Sequence, residues 1–403
     1  MSNLPQGWEV KTLSEIGEII TGSTPSKSNV EFYGKDYPFF KPSDFEQGYF
    51  LENAGDNLSK LGFGKARQLP PKTILVVCIG SLGKVALTRV IGSCNQQINA
   101  IIPHKNIISE YIYYYCISSK FQSILFSKAP QTTLAIFNKT EFSKLEIIYP
   151  KDIKEQERIV GILDESFAKI DESIKILEQD LLNLDELMQS ALQKAFNPLN
   201  DNTKENYQLP QSWEWKSLGD TSNYGKTSQV KPSQLKGNDW ILELEDIEKE
   251  SGVLLQKVLF QDRQSKSNKI KFNKGDILFG TLRPYLKKVI IADDNGACSS
   301  EIMPFSTGNS ITNHFIYYYL FANFLHDRIS SLTYGARMPR LGTKDGKSLQ
   351  IPLPPLQEQE QIAEHLDFVF EKAKALKELY TKELKDYEEL KQSLLDKAFK
   401  GEL

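Results

Sequence analysis

Leu4-Pro5-Gln6-Gly7-Trp8-Glu9-Val10-Lys11-Thr12-Leu13 returns as Leu209-Pro210-Gln211-Ser212-Trp213-Glu214-Trp215-Lys216-Ser217-Leu218, an offset of 205 residues. Glu155-Gln156-Glu157 returns as Glu358-Gln359-Glu360, and Lys194-Ala195-Phe196 as Lys397-Ala398-Phe399, both at an offset of 203. A nearly constant offset of about half the 403 residues marks an internal duplication. It is far longer than the ~20–50-residue period of a solenoid. Two copies in one chain imply two similar units able to pack about a pseudo-two-fold axis. Such a molecule suits a target that is itself two-fold, and duplex DNA is the commonest of these.

Each copy ends in a long apolar stripe. Ile159, Leu163, Ile170, Ile174, Leu177, Leu181, Leu184, Met188 and Ala195 recur at helical spacing, as do Ile362, Leu366, Val369, Ala373, Leu376, Tyr380, Leu384, Leu390, Leu394 and Ala398. Neither Gly nor Pro interrupts 162–197 or 356–400, so helices of about 42 residues, roughly 63 Å, are expected. A stripe that long exceeds what one ordinary domain can cover. The economical partner is the other helix, antiparallel if a dyad crosses the pair, in a coiled coil. The expected fold is therefore α+β: two similar globular domains in pseudo-two-fold arrangement, separated by two long antiparallel connector helices. Their bounds read as 1–150 for the first domain, 151–198 for the first connector, 199–350 for the second domain with a polar linker at 199–208, and 351–403 for the second connector.

The net charge of −3 hides a pattern. Residues 1–150 and 197–350 each carry a net +3, whereas 151–196 carry −5 and 351–403 carry −4. Mildly basic globular stretches alternate with acidic helices, which bears on function where the total does not. Hydrophobic content of 40% and charged content of 25% are those of a soluble globular protein. The longest apolar run, Ile74 to Ile79, is far short of the ~20 residues of a membrane helix, and no signal pattern opens the chain. Cys78, Cys94, Cys116 and Cys298 are scattered, as expected of buried, reduced thiols in a cytoplasmic protein.

No catalytic motif survives inspection. Gly225-Lys226-Thr227 and Gly346-Lys347-Ser348 resemble the end of a phosphate-binding loop, but Asp220 and Leu341 stand where its first Gly belongs. His104, His314, His326 and His365 lack ligand spacing, so no metal site is expected. Binding chemistry is present instead. Ser23, Thr24 and Lys27 sit in a small-residue loop suited to close approach of a phosphate backbone, with Lys84 in a second loop. Gln96 and Gln97, within Asn95-Gln96-Gln97-Ile98-Asn99, offer amides of the kind that read adenine edges. In the second half Thr281, Arg283, Tyr285, Lys287, Tyr334 and Arg337 supply guanidinium, ammonium and aromatic groups.

Together these motifs resemble the specificity subunit of type I restriction-modification enzymes, and the likeness covers essentially the whole chain. It rests on the repeated Leu-Pro-x-x-Trp-Glu and on Gly275-Asp276-Ile277-Leu278-Phe279-Gly280-Thr281-Leu282-Arg283-Pro284-Tyr285. Ile351-Pro352-Leu353-Pro354-Pro355-Leu356-Gln357-Glu358-Gln359 and the terminal Lys397-Ala398-Phe399-Lys400-Gly401-Glu402-Leu403 complete it. The resemblance implies two target-recognition domains, each reading one half of a bipartite double-stranded DNA sequence, with the helices setting the unread spacing. It implies no chemistry and no cofactor in this chain. Two modification subunits would methylate adenine N6 with S-adenosylmethionine, and restriction subunits would use ATP and Mg²⁺ to cut; no membrane is involved. Gly22-Ser23-Thr24-Pro25-Ser26-Lys27 does not match Gly225-Lys226-Thr227-Ser228-Gln229-Val230, so the target is expected to be asymmetric. A scaffold with two non-DNA ligand-binding heads, and a self-sufficient methyltransferase lacking its motifs, are the competing readings.

Overall fold

A computed structural model of the chain describes residues 4–128, 136–199 and 207–403. They form two compact units, Met1–Leu177 with Thr381–Leu403, and Glu178–Tyr380. Most of the linker expected at 199–208 lies outside the described residues. Four helices organise the units: α1 (Ser109–Ile117), α2 (Ile153–Phe196), α3 (Asn313–Tyr319) and α4 (Leu356–Ala398). At 44 and 43 residues, α2 and α4 match the uninterrupted stripes that foretold them.

The first unit is built on a five-stranded sheet. Its order is Gly17–Thr21, Ile98–Pro103, Ile74–Val77, Val85–Thr88 and Phe50–Leu51, and only the last pair is parallel. Ile74-Leu75-Val76-Val77 is apolar throughout because both faces of this central strand are covered. Strand alternation sends Ile74 and Val76 into one core, Leu75 and Val77 into another. Over the first core lies α1, whose Tyr111, Tyr113, Tyr114 and Tyr115 are all buried. Packed against both the sheet and α2, the helix buries aromatic or apolar side chains on more than one face.

The second unit repeats the plan. A three-stranded sheet, Val289–Ile291, Ile277–Gly280 and Ile302–Phe305, puts Ile277 and Phe279 under α3 and Leu278 into a separate core with Trp240 and Phe272. That second core rests on a four-stranded sheet ordered Gln229–Val230, Lys269–Phe272, Gly296–Cys298 and Trp240–Leu242.

The duplicated motifs turn out to be the joints. Gln156 and Gln359 are fully buried one turn into their helices. The Gln156 side-chain oxygen accepts from the Ile108 amide at 2.9 Å, and its nitrogen donates to the carbonyls of Pro150 at 2.9 Å and Asn106 at 3.4 Å. Gln359 does the same with Thr312 at 2.9 Å, Pro354 at 2.8 Å and Ser310 at 3.0 Å. About two turns further on, Tyr114 donates to Asp164 at 2.5 Å, and Tyr318 to Asp367. Each long helix is thus hydrogen-bonded to the body of the domain that precedes it.

The far ends are joined by packing. In the second unit Phe196, at the end of α2, stands edge-on to Phe315 and Tyr319, with ring centroids 5.1 Å from each. In the first unit Phe399, just past α4, meets Tyr111 at 5.4 Å and Tyr115 at 5.0 Å in the same way. Within the first unit Asp171 pairs with Lys391 at 2.6 Å, and Arg158 donates to the Leu403 carbonyl at 2.8 Å, so α2 and α4 run antiparallel there. Within the second, Lys377 pairs with Asp185, and Ala373 packs on Leu184 and Met188, again antiparallel. All four cysteines are buried and unbridged, and burial pushes the Cys78 thiol up to about 12. Among the described residues no helix is long and apolar enough to cross a membrane.

Gln359→Ala strands the Thr312 amide and the Pro354 and Ser310 carbonyls, and each buried orphan costs about 1–3 kcal/mol. The expected result is that hydrogen exchange at Thr312 accelerates at least ten-fold while exchange at Ile108, held by Gln156, is unchanged. Equal exchange at Thr312 in variant and parent would refute the clamp.

Candidate nucleic-acid interface

In the first unit the loop after Gly17–Thr21 closes onto the turn before Ile98–Pro103. The Gly22 amide donates to the Ile98 carbonyl and the Ser23 amide to the Cys94 carbonyl, both at 2.9 Å. A Cβ at position 22 would lie 2.1 Å from the Asn95 carbonyl oxygen, so only glycine permits this approach. The result brings Ser23, Thr24 and Gln96 together: the Thr24 hydroxyl donates to the Gln96 side-chain oxygen at 2.5 Å. The Ser23 hydroxyl accepts from the Arg67 amide at 3.3 Å, and the Arg67 guanidinium reaches the Thr21 carbonyl at 2.5 Å. Arg67 is exposed, and its place beside Thr21 and Ser23 was missed because it is 44 residues from Ser23 in sequence.

The amide run divides sharply. Gln96 is exposed, whereas Asn95 donates to Gln97 at 2.8 Å, Gln97 donates to the Ile79 carbonyl at 3.3 Å, and Asn99 accepts from Thr21 at 2.6 Å. The latter three are spent on the turn, leaving Gln96 to face outward. Lys27 is exposed and makes no ion pair among the described residues. Lys84 lies on the loop that Gln97 ties down at Ile79, and its ammonium holds the Glu46 carboxyl below the usual carboxylate range.

The second unit laces two loops into one surface. Thr333–Tyr334 and Arg340–Leu341 form a short antiparallel ribbon, turned at Gly335 with φ +94°. The Leu341 amide donates to the Thr281 carbonyl at 2.9 Å and the Arg283 amide to the Pro339 carbonyl at 2.7 Å. This stitching projects Arg283, Tyr285, Tyr334 and Arg337 outward together; Tyr334 is 60% exposed. Arg283 has a φ of +49°, a conformation costly for a residue with a Cβ and held here by its neighbours. Arg283 and Met338 border a depression of about 590 Å³ that Glu243, Glu245, Arg263 and Lys288 also line.

Two members of the expected set point inward. The Thr281 hydroxyl and amide both donate to the Glu301 carbonyl, at 3.0 and 2.8 Å, and the residue is buried. Lys287 is also buried, its ammonium on the Asn323 side chain; burial pulls its pKa below the ordinary lysine value. Both support the loop that carries Arg283 and Tyr285. Arg263 is likewise occupied, with its guanidinium bidentate on Asp246 at 2.6 and 2.8 Å. Burial alone would raise the Asp246 carboxyl; Arg263, the Glu243 amide and Gln256 hold it low.

Lys226 and Lys347 were set aside with their failed phosphate-loop motifs, yet the structure brings those motifs side by side. Gly225, at φ +80°, packs against Thr343 and the Lys347 stem, and Lys226 and Lys347 are both exposed. The repeat register was the missed signal, since Gly225-Lys226-Thr227 follows Gly22-Ser23-Thr24 at the same offset of 203. Among the described residues no group of His, Cys, Asp and Glu is arranged to hold a metal ion.

The frame agrees with what the chain is similar to. The family described as type I restriction modification DNA specificity domain matches it twice, over residues 5–181 and 210–385. The HindI specificity subunit of Haemophilus influenzae is 39% identical over 186 residues, 44% of this chain and 40% of that protein. The EcoDI specificity subunit of Escherichia coli is 23% identical over 99% of this chain and 89% of its own length. Among solved structures, a chain from work on complex assembly and conformational transition of the type I R-M system superposes with a TM-score of 0.79 at 18% identity, covering both chains completely. The HsdS subunit from Thermoanaerobacter tengcongensis gives 0.56 at 20% identity over 99% of this chain and 98% of that one, a likeness of fold. With both units matched, the chain belongs to the type I restriction modification DNA specificity family and carries two copies of its domain.

Proposed function

We propose that this chain is the non-catalytic, DNA-reading subunit of a type I restriction-modification assembly, and that it recognises a bipartite, asymmetric target. In this reading 1–150 and 199–350 are the two readers, and 151–198 and 351–403 are the connectors that set the spacing between half-sites. The observation that carries it is the contrast between frame and loops. Gln156 and Gln359, Tyr114 and Tyr318, and Phe196 and Phe399 make matching contacts in the two units. The outward loops differ: Thr24, Gln96 and Arg67 in one, Arg283, Tyr285, Tyr334 and Arg337 in the other.

The chemistry of each surface supports different base contacts. An outward-facing Gln such as Gln96, its oxygen held by the Thr24 hydroxyl, can pair with adenine, and a guanidinium with guanine, a bidentate pair being worth about 1–3 kcal/mol of discrimination. Lys27, Lys226 and Lys347 supply the sequence-independent phosphate contacts that fix register. Two modification subunits carrying S-adenosylmethionine, and restriction subunits using ATP and Mg²⁺, would perform the reactions. Exposed apolar side chains on the connectors, such as Leu182 at 58%, Phe368 at 59% and Leu379 at 60%, favour such docking.

Mapping methylated adenines in cells that express the chain with its modification subunits tests the reading; two unlike half-sites at fixed spacing are expected. A palindromic target, or none, would reject it. Arg283→Ala is expected to relax one base of the second half-site by about 1–3 kcal/mol and leave the first unchanged. Lys226→Ala should instead weaken all duplexes alike and lower the slope of log K against log salt by about 1. Adding seven residues to each connector, after Leu177 and after Tyr380, lengthens the helices by about 10 Å. At ~3.4 Å per base pair the spacer is expected to grow by roughly three pairs with both half-sites retained; altered half-site bases would count against a ruler.

A further inference from the structure

The two units differ at one place where the repeat should make them alike. In the first unit Phe50–Leu51 adds a parallel strand to the edge of Val85–Thr88, with the Leu87 amide donating to the Tyr49 carbonyl at 2.9 Å. Tyr49 stacks on Tyr113, centroids 4.1 Å apart, and on Phe50 at 4.0 Å, filling the space beside the Tyr114–Asp164 joint. Arg89 closes the arrangement with its guanidinium 3.7 Å from the Phe50 ring centroid.

In the second unit Gly252-Val253-Leu254-Leu255 stands at the position of Gly48-Tyr49-Phe50-Leu51, 204 residues on. It carries no aromatic residue and folds back on its own hairpin: the Glu248 amide takes the Val253 carbonyl at 2.9 Å and the Leu255 amide the Asp246 carbonyl at 2.7 Å. Among the described residues Val289–Ile291 therefore pairs only with Ile277–Gly280. The Ile291 amide, placed as Leu87 is, has no acceptor among the described residues. A cavity of about 340 Å³ remains beside that edge, lined by Trp240, Leu254, Ile291, Asp293, Tyr317 and Tyr318. The Trp240 indole N–H is buried without a hydrogen-bond partner, and the Lys257 ammonium lies 4.5 Å from its ring centroid.

We infer that this cleft is a docking slot for an extended peptide segment of a partner subunit, one that inserts a tyrosine or phenylalanine between Trp240 and Tyr317. An added strand would give the Ile291 amide its acceptor, as β-augmentation does elsewhere. The ring would find aromatic neighbours in the geometry that Tyr49 already uses. The occupant is a different protein, because the chain's own aromatic segment, Tyr49-Phe50, is committed to its own sheet in every copy. Asp293, Asp294 and Asp367 outnumber Lys257 and His314 around the opening, so the peptide is neutral or basic. The inference rests on the assembly reading only for the source of that peptide.

The test uses the full chain and a labelled Gln-Gly-Tyr-Phe-Leu-Lys peptide, blocked at both ends, followed by fluorescence anisotropy. Saturable binding is expected, weakened at least ten-fold when Tyr and Phe are both replaced by Ala. Val253→Tyr, which refills the slot from within, is expected to weaken it by a similar factor with an unchanged melting temperature. A peptide bearing benzoylphenylalanine in place of Tyr should cross-link within 252–254, 289–293 or 314–318, a readout that needs no folded variant. No saturable binding, indifference to the Ala peptide, or adducts confined to other residues would overturn the inference. Duplex-DNA binding by the same preparation reports on the DNA reading separately.

Discussion

Two glutamine side chains hold the architecture together. A helix of 43 or 44 residues can define a distance only if its base does not swivel, and Gln156 and Gln359 remove that freedom. Each presents one acceptor and two donor hydrogens, and each finds partners on the loop before the aromatic helix and on the chain just before its own helix. With no exposure to water, any reorientation would break several hydrogen bonds at once. Tyr114 on Asp164, and Tyr318 on Asp367, add a second anchoring point about two turns along, so that both tilt and rotation are fixed.

Rigid joints and variable loops are separated in the fold. The joints lie on the aromatic core between sheet and long helix, where Gln156, Gln359, Tyr114 and Tyr318 are all hydrogen-bonded. The candidate reading groups lie on loops stitched from behind by buried residues: Asn95 and Gln97 behind Gln96, Thr281 and Lys287 behind Arg283 and Tyr285. Supporting residues of this kind pre-set the outward side chains, which lowers the ordering cost of binding. It also lets the exposed residues change without disturbing the core.

This separation explains what was legible in the sequence. The duplicated motifs and the two uninterrupted stripes revealed the units and the long helices, because those features follow from periodic burial. The direction of individual polar side chains in turns did not follow from pattern. Asn95, Gln96 and Gln97 look alike on paper; which one faces outward depends on the turn's own unpaired groups, including the carbonyl of distant Ile79. Lys287 reads as a solvated cation, and its burial is made tolerable by Asn323 and by the nearby charges of Glu250 and Asp327. Arg67 and Lys226 entered late because their neighbours come from elsewhere in the chain, although the repeat register pointed to Lys226.

The socket that receives Phe399 bears on how the protein is made. The first unit's core includes Leu395, Ala398 and Phe399, which are synthesised after the whole of 178–380, whereas the second unit draws on 178–380 alone. At roughly 5–20 residues per second, the ~200 residues between Leu177 and the arrival of its packing partners take about 10–40 s to synthesise. Throughout that interval Tyr111 and Tyr115 lack the ring that covers them in the finished protein. Of the two units, the first is thus the one whose folding is completed later, and its aromatic core is the stretch most in need of protection during synthesis.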